Sequence, residues 1–98
     1  MIKNLNCRKV RGSHLLKVRC GSCATTLCIY QKVGDSNFVK MYNDRIVEGV
    51  VDFNHYQGGV FCPHCKSHLA TRYITKKDKK EAYRLVPSAV HKKKINRN

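Results

Sequence analysis

The chain of 98 residues has no tryptophan, only three phenylalanines and only two prolines. So small an aromatic inventory excludes a large apolar core, and a domain of this size commonly needs a staple to hold its fold. Acidic residues are scarce too: six Asp and Glu stand against 20 Lys and Arg, leaving a net charge of +14. No stretch reaches the ~18 apolar residues of a membrane span, which argues against a membrane partner. The opening, Met1-Ile2-Lys3-Asn4-Leu5-Asn6, holds no apolar signal-peptide run. That predicts a cytoplasmic chain in a reducing setting, with its six cysteines as free thiols rather than disulfides. A catalytic pattern is missing as well: the four Asp, two Glu and five His fall at no recognisable catalytic spacing, and the chain reads as a non-enzyme.

What the chain does have is a split pair of matched hooks. Val18-Arg19-Cys20-Gly21-Ser22-Cys23 lies near the front, and Val60-Phe61-Cys62-Pro63-His64-Cys65 lies well behind it. Each reads apolar residue, one residue, Cys, two residues, Cys. Gly21 and Pro63 are turn residues at the places where tight loops need them. Two such hooks supply four thiolates, the number a tetrahedral zinc ion takes. Cys20, Cys23, Cys62 and Cys65 are therefore the expected ligands of one structural zinc, with no coordination position left for a substrate. His64 and His68 could replace a cysteine, but four cysteines in matched hooks need no substitute.

The charge is segregated. Residues 1–23 carry Lys3, Arg8, Lys9, Arg11, Lys17 and Arg19 and no acidic residue. Residues 24–65 are close to neutral, and residues 66–98 are again strongly basic. Solubility alone does not require such an excess. It points to a polyanion, most simply nucleic acid. The expected phosphate contacts are Arg8, Lys9, Arg11, Lys17 and Arg19 in front. Behind, they are Lys76, Lys77, Lys79, Lys80, Arg84, Lys92, Lys93, Lys94 and Arg97. Tyr30, Tyr42, Tyr56 and Tyr73 are available to stack bases, although at least half are expected in the small core.

The pattern predicts a mostly-β fold. His14–Arg19 reads as a strand entering the first hook, and Thr25–Val33 and Phe38–Tyr42 read as a hairpin around a turn at 34–37. Asn43-Asp44-Arg45 is a turn, Ile46–Phe53 a further strand with Glu48 and Asp52 facing outward, and Leu69–Ile74 a closing strand. Asp78 with Glu81 imitates a capping box, so residues 75–86 predict a short helix, with a strand through Tyr83–Val86 as the alternative. His91–Asn98 reads as a basic tail, disordered when unbound. Cys7 and Cys28 have no place in the ligand set. The layout is thus a basic arm at 1–17, a metal-stabilised domain at 18–74 and a basic extension at 75–98.

At the two hooks the chain resembles a zinc ribbon, in which two C-x-x-C knuckles cap a small antiparallel sheet and share one zinc. The resemblance covers roughly residues 18–74. It departs in one respect: Ala24 and Lys66 follow the second cysteines, where glycine is frequent. Zinc ribbons occur in transcription factors, RNA polymerase subunits, ribosomal proteins and small phage regulators. The resemblance therefore implies nucleic-acid machinery: a regulator or a subunit of a nucleoprotein particle that binds RNA ahead of DNA. The alternative it leaves is a protein-interaction module docking on transcription machinery such as RNA polymerase. Cys62-Pro63-His64-Cys65 also resembles the active site of thioredoxin-fold thiol oxidases, but too little chain follows it for that fold. Zinc and a rubredoxin-type iron are not separated by spacing.

Overall fold

In a computed structural model, residues 2–34, 39–50 and 58–95 are described. Among the described residues, nine strands form two antiparallel sheets. They are β1 (Ile2–Lys3), β2 (Ser13–Cys20), β3 (Thr26–Val33), β4 (Lys40–Tyr42), β5 (Ile46–Gly49), β6 (Gly59–Phe61), β7 (His68–Ile74), β8 (Glu81–Leu85) and β9 (Val90–Ile95). The first sheet has the order β1-β5-β3-β2-β9 and the second β4-β8-β7-β6. The expected mostly-β fold with antiparallel sheets is thus observed. Among the described residues, no helix is long and apolar enough to cross a membrane.

Alternation along the strands makes the core. On β2, Leu16, Val18 and Cys20 turn inward, while Leu15, Lys17 and Arg19 take the opposite face. One apolar cluster draws Val18, Leu27, Cys28, Tyr30 and Ile46 from the first sheet and Met41, Val60, Leu69, Tyr83 and Leu85 from the second. Polar groups tie the sheets as well: the Tyr42 backbone N–H donates to the Tyr30 hydroxyl at 2.9 Å. The fully buried Cys28 lies 3.7 Å from the Met41 sulfur. Burial pushes its thiol far up, so it stays neutral, as a small core side chain should.

Each sheet is built on the same unit. A hook joins two strands, β2–β3 or β6–β7, and a third strand, β5 or β8, lies beside the second of them. The register matches at a step of 42 positions: Val18 pairs with Cys28 and Arg19 with Thr26, as Val60 pairs with Ala70 and Phe61 with His68. Both hairpins carry an irregularity at the same point, just before the hook. The third strands dock alike, Val50 N–H on the Leu27 carbonyl and Val86 N–H on the Leu69 carbonyl, each at 2.9 Å.

Three expectations are corrected. The segments Thr25–Val33 and Phe38–Tyr42 do not form a hairpin, because β3 already has β2 on one edge and β5 on the other; β4 pairs with β8 in the second sheet. Residues 75–86 form no helix. Thr75 takes the Lys80 N–H on its side-chain oxygen at 3.1 Å and the Lys79 N–H on its carbonyl at 3.0 Å, and this closes a turn into β8. The C-terminal stretch is not a free tail: β9 fills the edge of β2, with Lys17 opposite Lys93 and Cys20 opposite Val90. The turn at 35–37, Asp52, Tyr56 and Arg97 lie outside the described residues.

The first residues belong to the fold too. β1 pairs with β5, and the Asn4 amide donates to the Asn43 and Ile46 carbonyls at 2.7 and 2.9 Å. Buried Gln31 holds the segment ahead of β2. Its amide donates to the Arg8 carbonyl at 2.8 Å and to the Cys7 sulfur at 3.3 Å, and its oxygen accepts from the Val10 N–H. Burial, helped by the Asp44 carboxylate, raises the Cys7 thiol above its ordinary value.

Candidate metal centre

The two hooks come together where the sheets meet. The four sulfurs of Cys20, Cys23, Cys62 and Cys65 all lie within 4.8 Å of one another. Across the hooks, Cys20 is 3.5 Å from Cys65 and Cys23 is 3.6 Å from Cys62. Sulfurs ~2.3 Å from a central ion stand about 3.8 Å apart in a tetrahedron, so the cage has the size of a four-thiolate metal site. All four are free thiols. The donor set suits zinc, and it equally suits iron.

The hooks are built by the same backbone. In the first, Ala24 N–H donates to the Cys20 carbonyl and Cys20 N–H to the Thr25 carbonyl, both at 2.9 Å. In the second, Lys66 N–H donates to the Cys62 carbonyl and Cys62 N–H to the Ser67 carbonyl, again at 2.9 Å. A hydroxyl stands beside each outer cysteine: Thr25 at 3.0 Å from Cys23 and Ser67 at 3.2 Å from Cys65. Cys20 and Cys62 are buried in the core, whereas Cys23 is half-buried and Cys65 exposed.

The hooks also tune the thiols. The Ser67 hydroxyl, then its N–H, hold the Cys65 thiol down to about 6. Burial works to raise Cys62, but the N–H groups of Cys65 and His64 outweigh it and the thiol lies below its ordinary value. At Cys20 burial wins over the N–H groups of Cys23 and Ser22, and the thiol is raised. Backbone N–H groups aimed at sulfur favour the thiolate, which is the form a metal binds.

The departure from glycine has a structural consequence. Ala24 and Lys66 both take left-handed backbone, with φ of 61° and 67°. That conformation costs an L-residue about 1–2 kcal/mol, less what glycine loses in the unfolded chain. Ala24→Gly and Lys66→Gly are each expected to stabilise the metal-loaded protein by about 1 kcal/mol, seen as a raised thermal midpoint. A lowered midpoint would mean that these turns do not govern the hook.

Gly21 and Pro63, equivalent in the two hooks, serve differently. Gly21 N–H donates to the Ala89 carbonyl at 2.7 Å, and a Cβ at Gly21 would stand 3.1 Å from that oxygen. The first hook is thereby fastened to the turn that leads into β9. Pro63, which has no N–H, is exposed. Cys62-Pro63-His64-Cys65 leads into strand β7 and opens no helix, unlike the thioredoxin-fold arrangement. His64 and His68 lie outside the sulfur cluster; His68 meets Thr71 at 3.1 Å and the Phe61 ring.

The basic residues fall into two groups. β2 and β9 bring Lys17 beside Lys93, Val18 beside Lys92 and Leu16 beside Lys94, with no acidic residue on either strand. A groove of about 1230 Å³ next to them is lined by Lys9, Arg11, His14 and Lys94 together with Leu15 and Ile95. Arg8 is exposed on the same segment. Arg19 is only half-exposed, and its Nε is buried with no hydrogen-bond partner. The second group is elsewhere. Lys76, Lys77, Lys79 and Lys80 project from the β7–β8 turn, and Arg84 lies on β8. Lys40 and Arg45, which the near-neutral charge of the middle segment hides in the sequence, join this group around Tyr42. Comparison with protein-family models, with curated proteins and with solved structures returned no match.

Proposed function

We propose that this is a zinc-ribbon protein that binds nucleic acid, RNA ahead of DNA, as a regulator or a subunit of a nucleoprotein particle. One zinc on Cys20, Cys23, Cys62 and Cys65 plays a structural role, locking the junction of the two sheets. Lys and Arg supply the contacts to phosphate. The observation that carries this reading is the pairing of β2 with β9. It sets basic residues from opposite ends of the chain side by side, where solvated flanks would have stayed apart.

Salt dependence tests it. Binding of a labelled oligonucleotide, followed by anisotropy, is expected to weaken by about 10³-fold or more between ~50 and ~200 mM salt if some six phosphates are engaged. Replacing Lys17 and Lys93 together with Ala should lower the slope of log K against log salt by about 0.7–0.9 for each phosphate no longer neutralised. Affinity indifferent to salt would count against phosphate as the ligand.

A further inference from the structure

The second sheet has an outward face that the basic flanks do not explain. Its rows follow from the register. Lys40, Arg84, Thr71 and Gly59 stand side by side across β4, β8, β7 and β6, and Tyr42, Ala82 and Tyr73 form the next row. The opposite face of these strands carries Met41, Tyr83 and Leu85 into the core. Phe61 on β6 shares the outward face with Gly59. It is 47% exposed, and its ring lies so close over Gly59 that a Cβ there would stand 2.8 Å from it.

Cations attend these rings. Lys40, Arg45 and Lys80 lie 5.1, 4.9 and 5.9 Å from the centre of the Tyr42 ring. The Arg84 guanidinium lies 4.9 Å from the centre of the Tyr73 ring. The His68 ring lies 5.1 Å from Phe61, tilted by 32°. Carboxylates stand at the margin: Asp44 lies 3.4 Å from Lys80, and Asp78 is near enough to Lys40 to favour its charge. Tyr42 and Tyr73 are both half-exposed, whereas Tyr30 and Tyr83 are buried. The core has therefore taken two tyrosines, and two more sit outside it among positive charges.

We propose that this outward face of β4, β8, β7 and β6 binds single-stranded nucleic acid, with Phe61 and the Tyr73–Arg84 stack receiving bases and Lys40, Arg45 and Lys80 receiving phosphates. The inference rests on the nucleic-acid reading above and adds the form of the ligand and its place. A sheet with exposed aromatic rings suits unpaired bases, whose faces a duplex keeps stacked away. A guanidinium plane over a ring offers a second stacking surface. The surrounding cations complement the backbone whatever the sequence. The β2–β9 group, by contrast, has lysines and aliphatic residues and no aromatic residue other than histidine, and would hold either form by charge.

The metal-loaded full chain would be titrated into labelled 12-mers of oligo-U and oligo-dT and into a 12-base-pair duplex. Both single strands are expected to bind more tightly than the duplex. Phe61→Ala and Tyr73→Ala should each weaken single-strand binding by about 5- to 100-fold, while Tyr73→Phe keeps it. Because the chain has no tryptophan, tyrosine emission reports directly, and it should be quenched on single-strand binding and less so in Tyr73→Phe. Lys17→Ala should weaken single strands and duplex alike. Preference for oligo-U or oligo-dT identifies the source of the strand, and tight binding of either sustains the proposal. Equal binding of duplex and single strands, with Phe61→Ala unchanged, would overturn it and leave the nucleic-acid reading standing. No binding of any of the three at low salt would overturn both.

Discussion

Removing the metal is expected to abolish the fold. A structural zinc contributes about 10–16 kcal/mol of apparent binding energy, and net stabilities of domains are only about 5–15 kcal/mol. Here the loss falls at the worst place. Cys20 and Cys62 belong to the core cluster, and the hooks end the strand pairs on which each sheet is built. Without an ion, any thiolates among the four sulfurs would crowd one another with no cation between them, with Cys20 and Cys62 buried as well. A strong chelator should therefore release one equivalent of metal per chain and erase the strand signal in circular dichroism together. Elemental analysis of the released metal decides between zinc and iron. Cys62→Ser should behave as the stripped protein, and Cys7→Ser should keep full metal content. A stripped chain that retains its sheets would sink the claim that the metal holds them together.

The second large effect is expected at Tyr30. Its ring is 2% exposed and fills the space between the sheets, and its hydroxyl accepts the Tyr42 N–H. Tyr30→Ala should cost about 3–5 kcal/mol, the range for deleting a buried aromatic ring. Tyr30→Phe keeps the ring but leaves the Tyr42 N–H without that acceptor, at about 1–3 kcal/mol. The pair separates packing from hydrogen bonding. Burial pushes the Tyr30 phenol up to about 12, with the Tyr42 N–H opposing. A phenol whose folded value lies above its unfolded ~10 contributes stability that is complete below pH ~10 and is lost as pH rises towards 12. The wild type should therefore lose about 2–3 kcal/mol relative to Tyr30→Phe across that window. Parallel curves for the two proteins would show that Tyr30 ionises as freely in the fold as out of it.

The four-cysteine cluster is legible in the sequence because two cysteines at this spacing suit a tight turn that presents both sulfurs to one side. β2, β3 and β7 are legible for a related reason: each follows or precedes a hook, and β2 alternates cleanly while β3 is rich in β-forming residues. The hairpin expected around residues 34–37 fails because neighbours in sequence usually pair, and nothing local records that both edges of β3 are occupied from elsewhere. His91–Asn98 reads as a solvated tail, because its pattern shows the charge and not the open edge of β2, which Val90–Ile95 fills. The helix expected at 75–86 rests on Asp78 and Glu81. The structure spends Thr75 instead on a turn, with Lys79 in left-handed backbone at φ 55°. Lys40 and Arg45 stay hidden because four carboxylates cancel them in the sum for residues 24–65.

The 42-position step between the hooks has a further meaning. Each half of the molecule brings two ligands, so neither half closes a site by itself. Two copies of one half would in principle share a single ion across a two-fold axis, as subunits of a symmetric dimer do. Here one polypeptide plays both subunits. Covalent linkage frees the partners from identity: beside the shared unit one carries β1 and the lysine-rich β9, and the other carries β4. An ion held by the four cysteines would then be the shared hinge pin of two surfaces that need not match.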